Sequence, residues 1–227
     1  MVKRHLKRLA TKRSWPIKRK GITFITRPKP SGHNAMLSTS LNTLLKEMLY
    51  IAKTTKEVKY LLQHKEILVD GIKKTDHRFA AGLFDVISIK DTKENFRVLI
   101  NKNGKLTLIK IDDKEAGLKP CKVIGKTHLK GDMLQINLND GKNILTKKDG
   151  VKVGDTMILT IPEQKIKEIV KLDKGARIFL TGGGHIGTVG IVENIDGKTI
   201  IFKSENDKFE TLKKYAFAIN RIKVENE

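Results

Sequence analysis

Three closely spaced glycines near the carboxyl end form the pattern with the clearest potential for chemistry. Gly182, Gly184 and Gly187 match the G-x-G-x-x-G spacing, in which glycines let the backbone approach a dinucleotide pyrophosphate, and residues 177–181 before them are typical of a strand. A dinucleotide site next requires a helix, whereas residues 188–192 are β-branched and contain a glycine, which favours a second strand. A Walker loop needs a lysine directly after the last glycine, and the chain has none there. The sequence therefore predicts no nucleotide cofactor.

The other candidates for catalysis or metal binding are isolated from one another. Asp112 and Asp113 form an adjacent carboxylate pair without a nearby histidine, so a solvated turn is expected. The six histidines form no HExxH or other local ligand cluster. Cys121 is the single cysteine, which excludes an intrachain disulfide, and its flanks indicate a buried strand residue rather than a reactive thiol. We expect no catalytic residue, no metal site, no cofactor and no small-molecule substrate.

The charge of the chain points to a polyanionic partner. The sequence has 46 Lys and Arg against 25 Asp and Glu, a net charge of +21, with an ordinary hydrophobic fraction of 39%. Each phosphate that a lysine or arginine neutralises releases a condensed counterion, so nucleic acid is the expected partner. An anionic membrane surface is the competing interpretation. No run approaches the roughly 18 apolar residues of a spanning helix, and the amino terminus lacks the apolar core of a signal peptide, so we expect a soluble, cytoplasmic protein without membrane contact.

The first 35 residues concentrate this charge. They contain no acidic residue, the first in the chain being Glu47, and two prolines and a glycine between Arg27 and His33 favour an extended path. A segment so repulsive is expected to order only when phosphates surround it, with a solvated tail or a targeting signal as the alternative. Trp15, the only tryptophan, would either stack on a base or anchor the arm to the folded body. The predicted RNA contacts in this arm are Lys3, Arg4, Lys7, Arg8, Lys12, Arg13, Trp15, Lys18, Arg19, Lys20, Arg27, Lys29 and His33.

Behind the arm, the sequence predicts two helices, a hairpin and a further strand. Apolar residues recur at helical spacing over residues 41–52. Residues 54–57, Thr-Thr-Lys-Glu, form a capping-box pattern that begins a second, short helix. Asp70-Gly71 between two apolar runs predicts a tight hairpin, because glycine accepts a positive φ. Residues 84–89 have the composition of a strand.

This order of elements over residues 41–89 resembles the S-four-type RNA-binding domain, a small α/β fold shared by several translation and RNA-modifying proteins. The resemblance implies that RNA lies against the two helices and the hairpin. The alternative is a merely solvated face, because this stretch is not in itself strongly basic. The residues at the implied RNA-facing positions are Lys53, Lys56, Lys59, Lys65, Lys73, Lys74 and Arg78.

Beyond residue 95 the pattern changes to strands separated by Asn-Gly or Asp-Gly pairs, which is typical of small barrels or sandwiches. Residues 162–166 are expected to separate two such units. Residues 175–192, a strand, a glycine loop and a strand, resemble the KOW motif, which opens a small barrel in ribosomal proteins and in transcription or translation factors, with Gly187 at its central glycine. The family often has a basic residue in this loop where this chain has glycine, so backbone amides and His185 are the candidate RNA contacts. The alternative for His185 is an exposed loop residue.

Taken in order, these elements resemble the e-type S four family of archaeal and eukaryotic small-subunit ribosomal proteins over nearly the whole chain. The runs that carry the resemblance are HLKRLA at 5–10, SW at 14–15, GLFDVISI at 82–89, VIGKT at 123–127, LNDG at 138–141 and IPEQKI at 161–166. The resemblance implies binding to small-subunit ribosomal RNA, neighbouring ribosomal proteins as partners, a ribosome-associated location and no catalysis. The alternatives are an RNA-modifying enzyme, for which the residues after 89 show no catalytic motif, and a free RNA-binding translation or transcription factor with a KOW barrel.

The expected fold is therefore α+β and multi-domain. It begins with a basic extended N-terminal arm at residues 1–37 and a small α/β S-four-type RNA-binding domain at residues 38–95. A central β domain at residues 96–170, an SH3-like KOW β-barrel at residues 171–208 and a C-terminal segment at residues 209–227 complete the chain.

Overall fold

The computed structural model describes residues 5–147, 150–204, 207–219 and 224. These residues form two compact units. Unit 1 comprises the described residues up to Ile100 together with Lys105–Gly117, and unit 2 comprises Asn101–Gly104 and the described residues from Leu118 onward. Within this described part of the chain, no helix has the length and apolar character needed to cross a membrane.

Unit 1 combines short helical segments with a five-stranded antiparallel sheet. Its strands are β1 (Leu6–Lys7), β2 (Phe24–Ile25), β3 (Ser38–Ser40), β4 (Ile67–Val69), β5 (Ile72–Lys73), β6 (Ala80–Gly82), β7 (Val86–Ile89), β8 (Glu94–Ile100) and β9 (Leu106–Ile111). Its helical segments are a 3-10 turn (Arg8–Ala10), α1 (Leu41–Thr43), a π-helical turn (Leu44–Met48), α2 (Thr55–His64) and α3 (Asp113–Ala116). The main sheet has the order β5-β4-β7-β8-β9, while β1 pairs with β2 and β3 with β6.

The first helical segment is shorter than its apolar spacing predicts. The Ser40 hydroxyl accepts a hydrogen bond from the Thr43 amide at 3.2 Å and begins α1, but the helical path ends at Met48. The prediction extended to residue 52. Tyr50 has a φ of 55°, a left-handed conformation that an α-helix does not accommodate.

The capping box of α2 is confirmed. The Thr54 hydroxyl accepts a hydrogen bond from the Glu57 amide at 3.2 Å, and the Glu57 carboxylate accepts one from the Lys53 amide at 2.8 Å. Val58 and Leu62 of this helix are buried. The residues on its opposite side are therefore presented to solvent.

The predicted hairpin is also confirmed. Asp70 and Gly71 have φ values of 50° and 74°, as a two-residue turn between β4 and β5 requires. The strand expected over residues 84–89 begins two residues later, because Phe84 has a φ of 67° and leaves β7 to start at Val86.

The main sheet of unit 1 continues beyond the expected domain boundary after residue 95. β7 pairs with β8 from Val86 opposite Arg97 to Ile89 opposite Glu94, and β8 pairs with β9. This boundary therefore falls inside a hydrogen-bonded sheet, and the strands of 94–111 belong to unit 1 rather than to a central β domain.

The amino-terminal arm packs on unit 1 instead of remaining extended. Trp15 is only 4% exposed and belongs to the same apolar core as Leu41, Val98 and Leu106. The Leu106 amide also donates a hydrogen bond to the Ser14 carbonyl at 2.8 Å. The expectation that this segment orders only among phosphates is wrong for residues 5–37, because their few apolar side chains reach a core formed by later parts of the chain.

Unit 2 is built from two five-stranded antiparallel sheets. Its strands are β10 (Leu118–Leu129), β11 (Met133–Leu138), β12 (Asn143–Thr146), β13 (Thr156–Thr160), β14 (Ile166–Val170), β15 (Arg177–Leu180), β16 (Val189–Asp196), β17 (Thr199–Ser204), β18 (Asp207–Leu212) and β19 (Ala216–Ala218). The sheet orders are β12-β11-β10-β13-β14 and β18-β17-β16-β15-β19. Each sheet has its own apolar cluster, the first around Ile136 and Met157 and the second around Ile178 and Phe202.

Two sequence-based boundaries in unit 2 differ from the structure. A break between units was expected at residues 162–166. Instead, residues 161–165 connect β13 to β14, which pair with each other, so this segment is a hairpin connection. β19 pairs with β15, so the second sheet extends past residue 208, where the KOW barrel was expected to end. Taken together, the described residues are mostly strand with few helices, arranged in several sheets.

Candidate nucleic-acid interface

The side chain of Arg8, in the arm, is buried in the protein interior. Its guanidinium forms an ion pair with the Glu47 carboxylate and also donates to the Lys18 carbonyl at 2.7 Å. The side chain of Arg8 is 5% exposed. Arg8 therefore fixes the arm to the π-helical turn. The sequence predicted it as an RNA contact, but the structure buries its side chain.

Arg19 holds a second part of the arm together. Its guanidinium donates to the carbonyls of Leu9, Thr11 and Lys12 at 3.2, 3.2 and 3.1 Å. Carbonyl groups that face one arginine are kept in a compact loop. The hydrogen bonds of Arg19 therefore stabilise the conformation of the arm.

Trp15 and His33 are also turned inward. The indole Nε1 of Trp15 donates to the Ser38 carbonyl at 2.9 Å, so this side chain anchors the arm rather than offering a stacking surface. His33 Nε2 lies 3.0 Å from the Asp85 carboxylate, and the side chain is 9% exposed. A Cβ on Gly82 would lie 2.3 Å from His33 Cγ, which shows how closely the ring packs. The predicted RNA contacts of both residues are therefore replaced by packing inside unit 1.

The other predicted cations of the arm lie on the surface. Lys29 pairs with Asp76 there. Lys3 and Arg4 lie outside the described residues. The exposed cations of the arm are Lys7, Lys12, Arg13, Lys18, Lys20, Arg27 and Lys29.

Basic groups from three separate segments converge around His77, and we call Lys29, Lys59, His77 and Arg78 the basic cluster. Burial lowers the pKa of His77, and the positive charges of Lys59, Arg78 and Lys29 lower it further against the opposing charge of Asp76. A charge acts on a titrating group in this way only over short distances. The arm, α2 and the loop before β6 thus form one positive region.

The outer side of α2 continues this region with cations and an aromatic pair. Lys53, Lys56 and Lys59 are exposed, as the sequence predicted. The rings of Tyr60 and His64, one helical turn apart, stack with centroids 4.1 Å apart, and Tyr60 is 59% exposed. This pair was not among the residues predicted from the sequence, although its spacing of four residues was the available signal.

The remaining predicted cations of unit 1 differ in what they contact. Lys73 on the hairpin is exposed, while the ammonium of Lys74 lies 4.8 Å from the centroid of the Phe79 ring. Lys65 is paired with Asp91 at 2.7 Å. An exposed ion pair of this kind is weak, so a phosphate can compete for Lys65.

The glycine loop of unit 2 is a close-packed turn between two strands. Gly187 has a φ of 76°, and a Cβ there would lie 2.3 Å from the carbonyl carbon of Asn101. The His185 ring packs 4.2 Å from the Phe209 ring, measured between centroids, and its carbonyl accepts from the Thr188 hydroxyl at 2.7 Å. β16 follows the loop directly, which confirms that no helix is available here to bind a pyrophosphate.

Buried polar groups in unit 2 were not visible in the sequence pattern. Cys121 is fully buried, as predicted, and its thiol donates to the Asp140 carboxylate at 3.6 Å. Lys119 pairs with the same carboxylate at 3.2 Å. The ammonium of Lys122 donates to the carbonyls of Lys213, Lys214 and Ala216. These contacts stabilise the fold around β10.

The surface chemistry defines a class of protein. Among the residues that the structure describes, no group of three or more His, Cys, Asp or Glu side chains is placed to hold a metal ion. The concentrated feature is instead positive charge on unit 1. The chain is a mostly β, basic protein with a surface suited to a polyanion.

Comparisons with known proteins show which protein family the chain resembles. The model for ribosomal family S4e matches residues 92–166, and that for the RS4NT domain matches residues 2–36. The small ribosomal subunit protein eS4 of Methanosphaera stadtmanae is 37% identical, covering 97% of this chain and 94% of its own. The eS4 protein of Methanococcus vannielii is 34% identical, covering 96% and 95%.

A solved structure agrees with these relatives. The crystal structure of the 30S ribosomal protein S4e from Thermoplasma acidophilum superposes with a TM-score of 0.72 at 30% identity, covering 81% of this chain and 95% of that one. The chain belongs to the ribosomal S4e family, and the resemblance drawn from the sequence is confirmed.

Proposed function

We propose that the protein is a structural constituent of the small ribosomal subunit that binds small-subunit ribosomal RNA and so supports translation. Its relatives are named as small-subunit ribosomal proteins, which supports this assignment. The proposal includes neighbouring ribosomal proteins as partners, a cytoplasmic, ribosome-associated location and no catalytic activity.

The basic cluster is the observation that carries the RNA-binding proposal. Lys29, Lys59 and Arg78 come from three segments that are distant in sequence. The Lys29 amide donates to the Arg78 carbonyl at 2.8 Å, and the charges of all three residues act on His77. Asp76 pairs with Lys29 and offsets part of this charge, but the remaining excess of positive charge raises the electrostatic energy of the free protein. A phosphate backbone relieves this repulsion and releases counterions, so the cluster favours a polyanion.

The proposed RNA contacts are the exposed and half-buried cations of unit 1 that the sequence predicted. They are Lys7, Lys12, Arg13, Lys18, Lys20, Arg27 and Lys29 of the arm and Lys53, Lys56, Lys59, Lys65, Lys73, Lys74 and Arg78 of the body. Arg8, Trp15, Arg19 and His33 are assigned the role of holding the arm in place. This anchoring reduces the conformational entropy that an unstructured arm would lose on binding RNA.

In unit 2 we propose that residues 175–192 form a KOW motif in which Gly187 has a structural role. The contact of His185 with Phe209 supports a packing role for that ring, and RNA contacts by the loop are then limited to backbone amides. The S-four-type domain proposed for unit 1 covers residues 41–89 and contains α1, α2, the β4–β5 hairpin and β7.

Sedimentation of a cell extract through a sucrose gradient tests the assignment. A structural constituent stays with small subunits after a high-salt wash, because many contacts hold it. Recovery of the protein mainly in the soluble fraction would contradict the proposal and favour a free RNA-binding factor.

A further inference from the structure

Unit 2 contains a pocket of about 550 Å³ that the proposed RNA contacts do not involve. Residues 122–124 of β10 and 153–154 form one side, and residues 197–198 and 212–214 form the other. A volume of this size accommodates a large side chain together with adjoining backbone. The pocket therefore has the dimensions of a binding site rather than of a packing defect.

Aliphatic side chains make up the apolar part of the pocket. Ile124, Val153 and Leu212 line it and are 58%, 51% and 41% exposed. Single exposed aliphatic residues are ordinary on protein surfaces, but three that share one concave site are not. Burial of these side chains beneath an apolar group of a partner would remove their surface from water and so favour binding.

The walls of the pocket are held in place by close contacts. Gly154 has a φ of 107°, and a Cβ there would lie 3.3 Å from Lys213 Cε and 3.5 Å from Leu172 Cδ2. The ammonium of Lys122 donates to the carbonyls of Lys213 and Lys214 at 3.1 and 3.0 Å. The pocket is thus formed before any partner arrives.

The charged side chains that line the pocket have one sign. The titratable side chains among its described lining residues are Lys122, Lys198, Lys213 and Lys214, and no carboxylate is among them. Burial lowers the pKa of Lys122 to about 8, and the charge of Lys213 adds to this effect. A carboxylate at the rim would reduce this repulsion between lysines.

We propose that this pocket binds an acidic segment of a neighbouring protein, which inserts an aliphatic or aromatic side chain between Ile124, Val153 and Leu212 and places carboxylates beside Lys198, Lys213 and Lys214. The inference rests on the proposed assembly into the small subunit. RNA fits less well, because phosphates and riboses do not cover an aliphatic surface and base stacking uses aromatic faces, which the described lining residues lack. An acidic peptide with one bulky apolar residue matches both features.

Site-specific photocrosslinking in assembled small subunits tests the proposal. The full-length chain carries p-benzoylphenylalanine in place of Ile124, and a matched control carries it in place of Leu145, which is 57% exposed in the same unit but does not line the pocket. The photoreactive residue at position 124 should give a photoproduct with a protein segment that contains Asp or Glu. The same residue at position 145 should not. A photoproduct with RNA alone, with a segment lacking carboxylates, or with no other chain would overturn the proposal.

A second measurement uses the unaltered chain, in case the photoreactive residue disturbs folding. Carbodiimide joins lysine amines to carboxylates in direct contact, so small subunits treated with it should contain a link from Lys198, Lys213 or Lys214 to an acidic residue of another protein. Absence of any such link would overturn the proposal. Co-sedimentation of the chain with small subunits is read separately, so failure of the pocket proposal is distinguished from failure of the proposed function.

Discussion

The indole Nε1 of Trp15 donates a hydrogen bond to the carbonyl of Ser38 at 2.9 Å, across 23 positions in the sequence. Together with the Arg8–Glu47 ion pair, this bond makes the amino-terminal arm part of the fold of unit 1. The cations of the arm are therefore presented on a surface that exists before RNA is bound.

Replacement of Trp15 should destabilise unit 1. Trp15→Ala is expected to lower the free energy of unfolding by about 3–5 kcal/mol, because it empties a buried site, and Trp15→Phe by about 1–3 kcal/mol, because the Ser38 carbonyl loses its donor. Urea unfolding followed by circular dichroism measures this, since the variants lack the only tryptophan. Leu9→Ala, at a side chain of the same arm that is 72% exposed, should change stability by no more than about 1 kcal/mol. A Trp15→Ala variant as stable as the parent would show that the arm is not packed.

Gly187 should tolerate no side chain. A Cβ at this position meets the Asn101 backbone at 2.3 Å and also requires a positive φ, so Gly187→Ala is expected to destabilise unit 2 by about 2–4 kcal/mol. Gly175→Ala is the matched control, because Gly175 has a φ of 81° but open space around it, and about 1 kcal/mol is expected there. Thermal unfolding compares the two variants, and equal losses of stability would contradict the close approach to Asn101.

Three predictions that depend on local signals are confirmed. The Asp70-Gly71 turn, the Thr54 capping box and the strand after Gly187 each depend on neighbouring residues, and the structure contains all three. The arm was misjudged because its neutralising partners are remote: Glu47 lies 39 positions from Arg8. Counting charge within a segment does not reveal such pairings.

Contacts between residues that are remote in sequence also determine the sheets and the candidate interface, and local sequence signals do not reveal them. The pairing of β7 with β8 decides where unit 1 ends, and composition changes near residue 95 do not report it. The lysines of α2 were predicted from the resemblance to the S-four-type domain, but the convergence of Lys29, Lys59 and Arg78 around His77 depends on the tertiary fold. The sequence therefore identifies individual basic residues, but it does not predict which of them lie together in the fold.

The stability of unit 1 should depend on the protonation of His77. Its folded-state pKa lies below the ordinary 6.5, so the unfolded chain binds a proton there more readily than the folded chain does. The stability that neutral His77 supports is present above pH 6.5 and is lost as the pH falls from 6.5 toward the folded-state pKa. His77→Gln should therefore show a smaller fall in Tm between about pH 7.5 and about pH 5.5 than the parent does. Identical pH profiles for His77→Gln and the parent would contradict a positive environment around His77.

The salt dependence of binding to small-subunit ribosomal RNA tests the central claim, that the preformed basic surface of unit 1 carries RNA binding. The triple variant Lys56→Gln, Lys59→Gln, Lys73→Gln is compared with Lys167→Gln, Lys171→Gln, Lys174→Gln, which neutralises three exposed lysines of unit 2. The unit 1 variant should flatten the slope of log affinity against log salt by about 0.7–0.9 for each lysine–phosphate pair that the substitutions remove, and the unit 2 variant should leave the slope unchanged. An unaltered slope in the unit 1 variant, or an equal change in both variants, would contradict the claim.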